Sequence, residues 1–207
     1  MSKYKLTDKS ITNWSGVKLF QIEATASFGS VVKGEVGGYI EKESNLSQDG
    51  NAWVFGNARV YGDAQVYGDA WVYGDAQVYG DARVFGNARV YGDAWVYGDA
   101  WVFGNAQVYG NARVFGNARV YGDAWVYGDA RVFGNAWVYG KLKLTLGYFF
   151  GMKYKGESIQ EIEQGEERII CKGDVKVEKY DQVEEKSLSG TEVIVTVGDK
   201  TYKAIIK

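Results

Sequence analysis

Small apolar residues alternate with bulky or polar ones through the middle of the chain, in a pattern that repeats every six residues. From Gly50 to Tyr139 the sequence is fifteen uninterrupted hexads of the form G-[DN]-A-[WRQ]-V-[YF], such as GDAWVY. Ala and Val lie two positions apart, so on a β-strand they share one face, while the variable residue and Tyr or Phe share the other. A short fixed period predicts a solenoid in which each coil packs on the next.

The variable position indicates which face of the strands lies inside. Burying unpaired guanidinium groups in an apolar tube would cost several kcal/mol each, whereas Ala and Val are small enough to fill a narrow interior. We therefore predict that Ala and Val point inward, and that Trp, Arg, Gln, Tyr and Phe point outward. The arginines at this position are Arg59, Arg83, Arg89, Arg113, Arg119 and Arg131.

The Gly-Asp and Gly-Asn pairs predict the corners of the coil, because Gly, Asn and Asp tolerate positive φ best. Three corners give a coil of eighteen residues and a triangular prism. Fifteen hexads then make about five coils, with a height of about 24 Å at the usual strand spacing.

An eighteen-residue coil sorts the variable positions into three columns, each named here by its first residue. Neighbours in a column lie about one strand spacing apart, so aromatic rings can stack and Arg can lie on ring faces. The Trp53 column is Trp53, Trp71, Arg89, Gln107 and Trp125; the Arg59 column is Arg59, Gln77, Trp95, Arg113 and Arg131; the Gln65 column is Gln65, Arg83, Trp101, Arg119 and Trp137.

Residues 1–140 resemble a bacterial and phage group of hexapeptide-repeat proteins. The resemblance lies in the "Y-x-L-T" at Tyr4–Thr7, in "GGYIEKESNLS" at residues 37–47 and in the tandem "YGDA" and "FGNA" words. It implies a left-handed parallel β-helix, and such proteins are usually named as transferases or polymer-forming proteins. One departure is that Gly follows the inward aliphatic residue by two positions, where the family often has one. Acyltransferases of the superfamily use a histidine base and its carbonic-anhydrase branch uses three histidines on zinc, but this chain contains no histidine.

Larger apolar residues flank the array, as expected of caps that plug a tube. Ile40 and Leu46 fall in the Ala column before it, and Leu142 and Leu144 fall in the Ala and Val columns after it. We predict an all-β chain with a β-rich N-terminal cap (1–49, with a strand in "VKLFQIEATASF"), the β-helix (50–146) and a small separate β-rich domain (147–207). The last contains a hairpin in "TEVIVTVGDKTYKAIIK" with its turn at 198–199; "ESIQEIEQGEE" fits a short helix or a loop equally well.

Composition and charge narrow the function classes. The net charge of −2 predicts no attraction to nucleic acid or to an anionic membrane. No apolar run is long enough for a spanning helix, and "MSKYKLTDKS" lacks the apolar core of a signal peptide. We therefore expect a cytoplasmic protein. Cys171, the single cysteine, allows no internal disulfide, and we interpret it as a structural thiol.

The eight Asp of the corners are interpreted as turn formers, although carboxylate ladders also occur in calcium-binding repeats. We therefore expect no metal, no cofactor and no catalytic residues. The variable Trp, Arg and Gln residues have three interpretations. They form a contact surface for a partner, they form a stacked ladder that stabilises the solenoid without a ligand, or they reflect sequence drift after duplication of the hexad. Trp, Tyr and Arg are the residues most often found at the energetic centre of protein interfaces.

We therefore expect a non-enzymatic β-solenoid scaffold that binds a protein through its aromatic–arginine faces or through residues 147–207. Because the resemblance includes phage proteins, one specific form is an inhibitor of a host defence protein. The alternatives are a diverged acyl or nucleotidyl transferase and a carbohydrate-binding module, and self-association as a dimer or trimer is left open. The candidate contact residues are Trp53, Trp71, Trp95, Trp101, Trp125, Trp137, the six arginines named above, and Tyr148, Phe149 and Phe150.

Overall fold

A computed structural model describes residues 2–151, 192–197 and 200–205. The chain forms two compact units, one holding the solenoid with its N-terminal cap and the other holding a C-terminal hairpin. The segment "ESIQEIEQGEE", the turn at 198–199 and Cys171 lie outside the described residues. Because most of 147–207 does as well, the three domain boundaries stay predictions.

The N-terminal part is a short antiparallel sheet followed by one 3-10 turn. Strand β1 (Tyr4–Thr12) pairs with β2 (Lys18–Ala24), and β2 pairs with β3 (Val36–Ile40); both pairings are antiparallel. The 3-10 turn spans Glu43–Asn45. The strand expected in "VKLFQIEATASF" is confirmed as β2.

The array folds into short strands, one for each hexad, separated by turns. Each strand contains the variable residue and the following Val, and the turn contains the Gly-Asx pair. The strands of the array are β4 (Trp53–Val54), β5 (Arg59–Val60), β6 (Gln65–Val66), β7 (Trp71–Val72), β8 (Gln77–Val78), β9 (Arg83–Val84), β10 (Arg89–Val90), β11 (Trp95–Val96), β12 (Trp101–Val102), β13 (Gln107–Val108), β14 (Arg113–Val114), β15 (Arg119–Val120), β16 (Trp125–Val126), β17 (Arg131–Gly134) and β18 (Trp137–Val138). Two further strands follow the array, β19 (Lys143–Leu144) and β20 (Tyr148–Gly151).

These strands stack in parallel in three sheets around one core, and the first sheet also includes the antiparallel strands β1, β2 and β3. The first sheet runs β1-β2-β3-β5-β8-β11-β14-β17-β20, the second β4-β7-β10-β13-β16-β19 and the third β6-β9-β12-β15-β18. The protein is therefore a β-solenoid of about six turns, because coils continue on both sides of the fifteen hexads that predicted about five. The left hand of the coil stays an expectation from the resemblance.

Coils are joined by a regular ladder of backbone hydrogen bonds. The N–H of Trp95, for example, donates to the carbonyl of Ala112, and the N–H of Tyr97 donates to the carbonyl of Val114, both at 2.9 Å. The turn glycines from Gly50 to Gly140 all have φ between +59° and +73°. Only glycine adopts that conformation without strain, so the Gly at each corner follows from the geometry of the turn.

The core is the predicted column of small aliphatic side chains. Every Ala and Val of the hexads is buried, nearly all of them completely. After the array, Leu142 packs against this core and Leu144 occupies the Val column beside Val126, as predicted. The prediction for Ile40 and Leu46 is wrong by two positions. Both lie in the Val column, opposite Val60 and Val66, because the coil that joins cap and array has twenty residues instead of eighteen.

The cap fits closely against the first coil. A Cβ on Gly37 would lie 2.6 Å from the Val54 carbonyl oxygen, and one on Gly38 would lie 2.6 Å from the Ala58 carbonyl oxygen. The double glycine of "GGYIEKESNLS" is therefore required by the close approach of two backbones. On the other side of the cap, the Lys3 ammonium donates to the Ala52 carbonyl at 3.0 Å, and its burial lowers the pKa of Lys3 to about 8.

The second unit contains the hairpin predicted near the C-terminus. Strand β21 (Glu192–Val197) pairs in antiparallel register with β22 (Lys200–Ile205), so the hairpin is confirmed. The described part of the chain contains no helix with the length and apolarity that crossing a membrane requires.

Candidate protein-binding faces

The three predicted columns are confirmed by the strand register. Trp95 lies between Gln77 and Arg113, Arg89 lies between Trp71 and Gln107, and Trp101 lies between Arg83 and Arg119. Each column runs along its own sheet, and the surface around it is called the Trp53, Arg59 or Gln65 face below. Except for Trp53, the Trp and Arg side chains of the columns are half-buried or exposed.

Arginine and tryptophan alternate in direct contact on the Gln65 face. The guanidinium of Arg83 lies 5.2 Å from the ring centroid of Trp101, and that of Arg119 lies 4.7 Å from Trp101 and 5.1 Å from Trp137. Arg119 is thus held between two indoles. These separations are within the range in which a cation is attracted by an aromatic face. The contacts fix the rotamers of long side chains that would otherwise be mobile.

The other two faces contain isolated pairs of the same kind. Arg89 lies 5.1 Å from Trp71, and Arg113 lies 4.7 Å from Trp95. Lys143 lies 4.3 Å from Trp125 and extends the Trp53 column by one residue that the sequence analysis missed. The sequence contained this information, since Lys143 follows Trp125 by eighteen residues, which is one coil.

A stacked aromatic ladder runs beside each column. Within the ladders, successive rings from Tyr61 to Tyr139 lie 4.6–5.0 Å apart and are nearly parallel, as in the pair Tyr73–Tyr91. Burial in the stack raises the pKa of Tyr79 and of Tyr91 to about 12. The ladders therefore present flat apolar strips, in which the hydroxyls of Tyr79 and Tyr91 stay protonated well above neutral pH.

The corner residues form a third kind of column that is polar. Amide side chains donate to the residue one coil on, as from Asn105 to Asp123 at 2.9 Å and from Asn111 to Asp129 at 3.1 Å. Among the described residues there is no group of three or more His, Cys, Asp or Glu placed to hold a metal ion. Stacked Asn and Asp side chains here link neighbouring coils.

Trp53 must be removed from the predicted contact surface. It is fully buried and lies edge-to-face against Tyr4 (centroids 6.1 Å apart) and Phe28 (5.4 Å). Tyr61 on a neighbouring corner is buried in the same way, against Leu19 and Tyr39. The first coil is covered at these two positions because the N-terminal sheet folds over them.

The residues after the array divide into exposed and inward positions. Strand β20 pairs with β17, which places Tyr148 beside Arg131, Phe149 beside Val132 and Phe150 beside Phe133. Phe149 therefore packs against the core and is only half-buried, so its place in the contact surface stays a prediction. Tyr148 and Phe150 remain exposed, by 67% and 42%.

The structure also forms a groove that the sequence analysis did not predict. It has a volume of about 500 Å³ and runs along the Arg59 face between the Arg59 column and the neighbouring corner column. Asp75, Asp93 and Asp129 line one side of it. The hexad formula treated these residues only as turn formers.

Comparison with known proteins supports the class that the fold defines, a β-solenoid repeat protein. The family model described as "YdcK Beta solenoid repeat" matches seven segments of the array: 64–80, 76–89, 82–98, 88–104, 106–122, 112–128 and 124–140. The array is thus similar to that repeat family. A search of curated proteins found no significant match. The hexapeptide-repeat and transferase names stay expectations from the resemblance.

Proposed function

We propose that this protein is a non-catalytic β-solenoid scaffold that binds a protein partner through its Gln65 face. The observation that carries the proposal is the continuous contact series Arg83–Trp101–Arg119–Trp137. Arginine and tryptophan are enriched among the residues that contribute most to binding energy in interfaces. The absence of histidine from the whole sequence supports a role without acid–base catalysis at neutral pH.

The arrangement favours binding because its side chains are already ordered. Ordering a long side chain at an interface costs about 0.5–1.5 kcal/mol. Arg119 is fixed between Trp101 and Trp137 before any partner arrives, so most of that cost is met in folding. The Tyr67–Phe85–Phe103 ladder, with centroids 4.8 and 4.9 Å apart, widens the same face with flat apolar surface. An interface built here would bury rigid rings around a central guanidinium.

We propose further that the partner is a host defence protein. The resemblance to phage proteins favours a host defence protein as the partner, bound by the solenoid as an inhibitor. The hairpin-containing unit is a second candidate surface, since the repeat array is nearly uniform while residues 141–207 are not repetitive. A cytoplasmic location is part of the same proposal.

The experiment is a quantitative pull-down from the native host with three full-length baits. The double variant Trp101→Ala/Arg119→Ala removes the centre of the Gln65 face. The double variant Trp71→Ala/Arg89→Ala removes the equivalent contact, 5.1 Å, from the Trp53 face and serves as the matched control. We expect a specific partner to bind the wild type and the control, and to bind the Gln65-face variant at least tenfold less.

A fourth bait distinguishes the two candidate surfaces. Truncation after Gly151 keeps β20, which pairs with β17, and removes the hairpin. Partner binding that survives this truncation and is lost in the Gln65-face variant supports the proposal. Binding that is lost only on truncation moves the site to the C-terminal unit, and equal binding by both double variants refutes the role of the Gln65 face.

A further inference from the structure

The groove on the Arg59 face brings two columns of opposite charge side by side. Half-buried Arg59, Arg113 and Arg131 line one side, and exposed Asp75, Asp93 and Asp129 line the other. Both columns run along the solenoid axis. The groove therefore has no net charge but a strong separation of charge across its width.

These six charges have no ionic partner within the described residues. The ion pairs there are Lys5–Glu23 and Lys42–Asp63, both in or beside the cap. Two of the three arginines contact rings instead, with Arg113 4.7 Å from Trp95 and Arg131 5.2 Å from Tyr148. The two columns are thus available to neutralise charges on another molecule.

The spacing of the columns restricts what that molecule can be. Stacked rings beside the groove, such as Tyr79 and Tyr97, lie 4.9 Å apart, which gives the rise from coil to coil. An extended peptide repeats its same-side residues about every 6.6–6.8 Å, and a nucleic acid offers only negative charge. A second β-solenoid has both the matching rise and both signs of charge.

We propose that the Arg59 face binds a second copy of this chain, and that the two solenoids run parallel. A two-fold axis parallel to the solenoid axis exchanges the two columns, so each arginine column faces the aspartate column of the other copy. Antiparallel copies, related by an axis across the face, would place arginine on arginine. Closed two-fold pairing of identical patches is the commonest form of self-association.

The strongest contact joins Arg131 of each copy to Asp129 of the other, because these residues lie in the same coil. Arg113 lies one coil from Asp93 and from Asp129 of the second copy, and Arg59 lies one coil from Asp75. Contacts of this kind are exposed and individually weak, so the dimer depends on salt. The interface uses a different face from the proposed function and stands independently of it.

Sedimentation equilibrium of the full chain tests the proposal. We expect dimer in about 0.01 M salt, where the Debye length is about 30 Å, and monomer in about 1 M salt, where it is about 3 Å. Each charge reversal alone, Asp129→Arg or Arg131→Asp, places like charges opposite each other across the interface. Each variant should therefore be monomeric at both salt concentrations. Mixing the two variants restores both ion pairs and should restore the dimer as a heterodimer.

Milder variants and a control on another face guard against misfolding. Asp129→Asn and Arg131→Gln introduce residues that other hexads use at the same positions, so they should fold, and each should weaken the dimer about tenfold by removing two symmetric pairs. Arg119→Asp changes the same hexad position on the Gln65 face and should dimerise like the wild type. Monomer at both salt concentrations, dimers formed by either reversal alone, no dimer in the mixture, or loss of the dimer in Arg119→Asp would each overturn the proposal.

Discussion

Replacing Trp53 by alanine should destabilise the protein far more than the same change at Trp71. The two residues occupy the same hexad position and are direct neighbours in the second sheet. Trp53 is fully buried between Tyr4 and Phe28, and its Cζ2 lies 2.8 Å from where a Cβ on Gly37 would be. Trp71 is half-buried and contacts Phe55 and Arg89.

The expected losses follow from these contacts. Removing a buried Trp side chain costs about 3–5 kcal/mol, since the cap can collapse only partly into the space. Trp71→Ala loses one edge-to-face ring pair and one cation–π contact, together about 1–2 kcal/mol. Trp53→Phe should cost less than Trp53→Ala. The buried indole Nε1 has no hydrogen-bond partner among the described residues, so its removal relieves a penalty of about 1–3 kcal/mol.

Urea unfolding followed by circular dichroism measures the three free energies. Hydrogen exchange then locates the damage: amides of β3 and β4 should lose protection in Trp53→Ala, while those of β13 should not, because coils interact with their nearest neighbours. Equal losses for Trp53→Ala and Trp71→Ala would refute the argument that the cap makes Trp53 a core residue.

Three further outcomes follow from the ladders and the cap. Gly140→Ala should lower the free energy of unfolding by about 1–2 kcal/mol, because its φ of +68° is unfavourable for alanine. Gly92→Ala should cost more in the same urea unfolding experiment, because its Cβ would also lie 3.0 Å from the backbone nitrogen of Gly110 in the next coil. Equal costs for the two variants would contradict the crowding argument. Burial raises the pKa of Tyr79 and Tyr91 from 10.0 to about 12. The stability that these two buried, protonated hydroxyls contribute is therefore complete below pH 10 and is lost as the pH rises to about 12. A pH titration followed by tyrosinate absorbance should show a second step near pH 12, and a single step near pH 10 would contradict this prediction. The Asn45 amide donates to the carbonyls of Gly62 and Ala64 in the first coil, at 3.0 and 2.9 Å. Asn45→Ala removes both hydrogen bonds and should lower the free energy of unfolding in urea by about 2–4 kcal/mol. A loss below about 1 kcal/mol would contradict this role.

Sequence alone determined the interior of the solenoid and the identity of its faces. Within the array, each residue is surrounded by copies of its own hexad and of the hexads eighteen residues away. Strand alternation then fixes which side chains point inward, and the requirement for positive φ fixes the corner. For this reason the burial of Val96, the neighbours of Trp101 and the position of Leu144 could all be predicted from the period.

Only the tertiary structure decided what happens at the ends of the array and across its faces. Trp53 is buried because a non-repeating sheet from the N-terminus covers it, and Ile40 changes column because the joining coil has two extra residues. Phe149 turns inward because β20 continues the first sheet. The charged groove beside Arg131 forms from columns that are distant in sequence. In each case the environment is set by segments outside the repeat or by packing between columns, and no six-residue pattern contains that information.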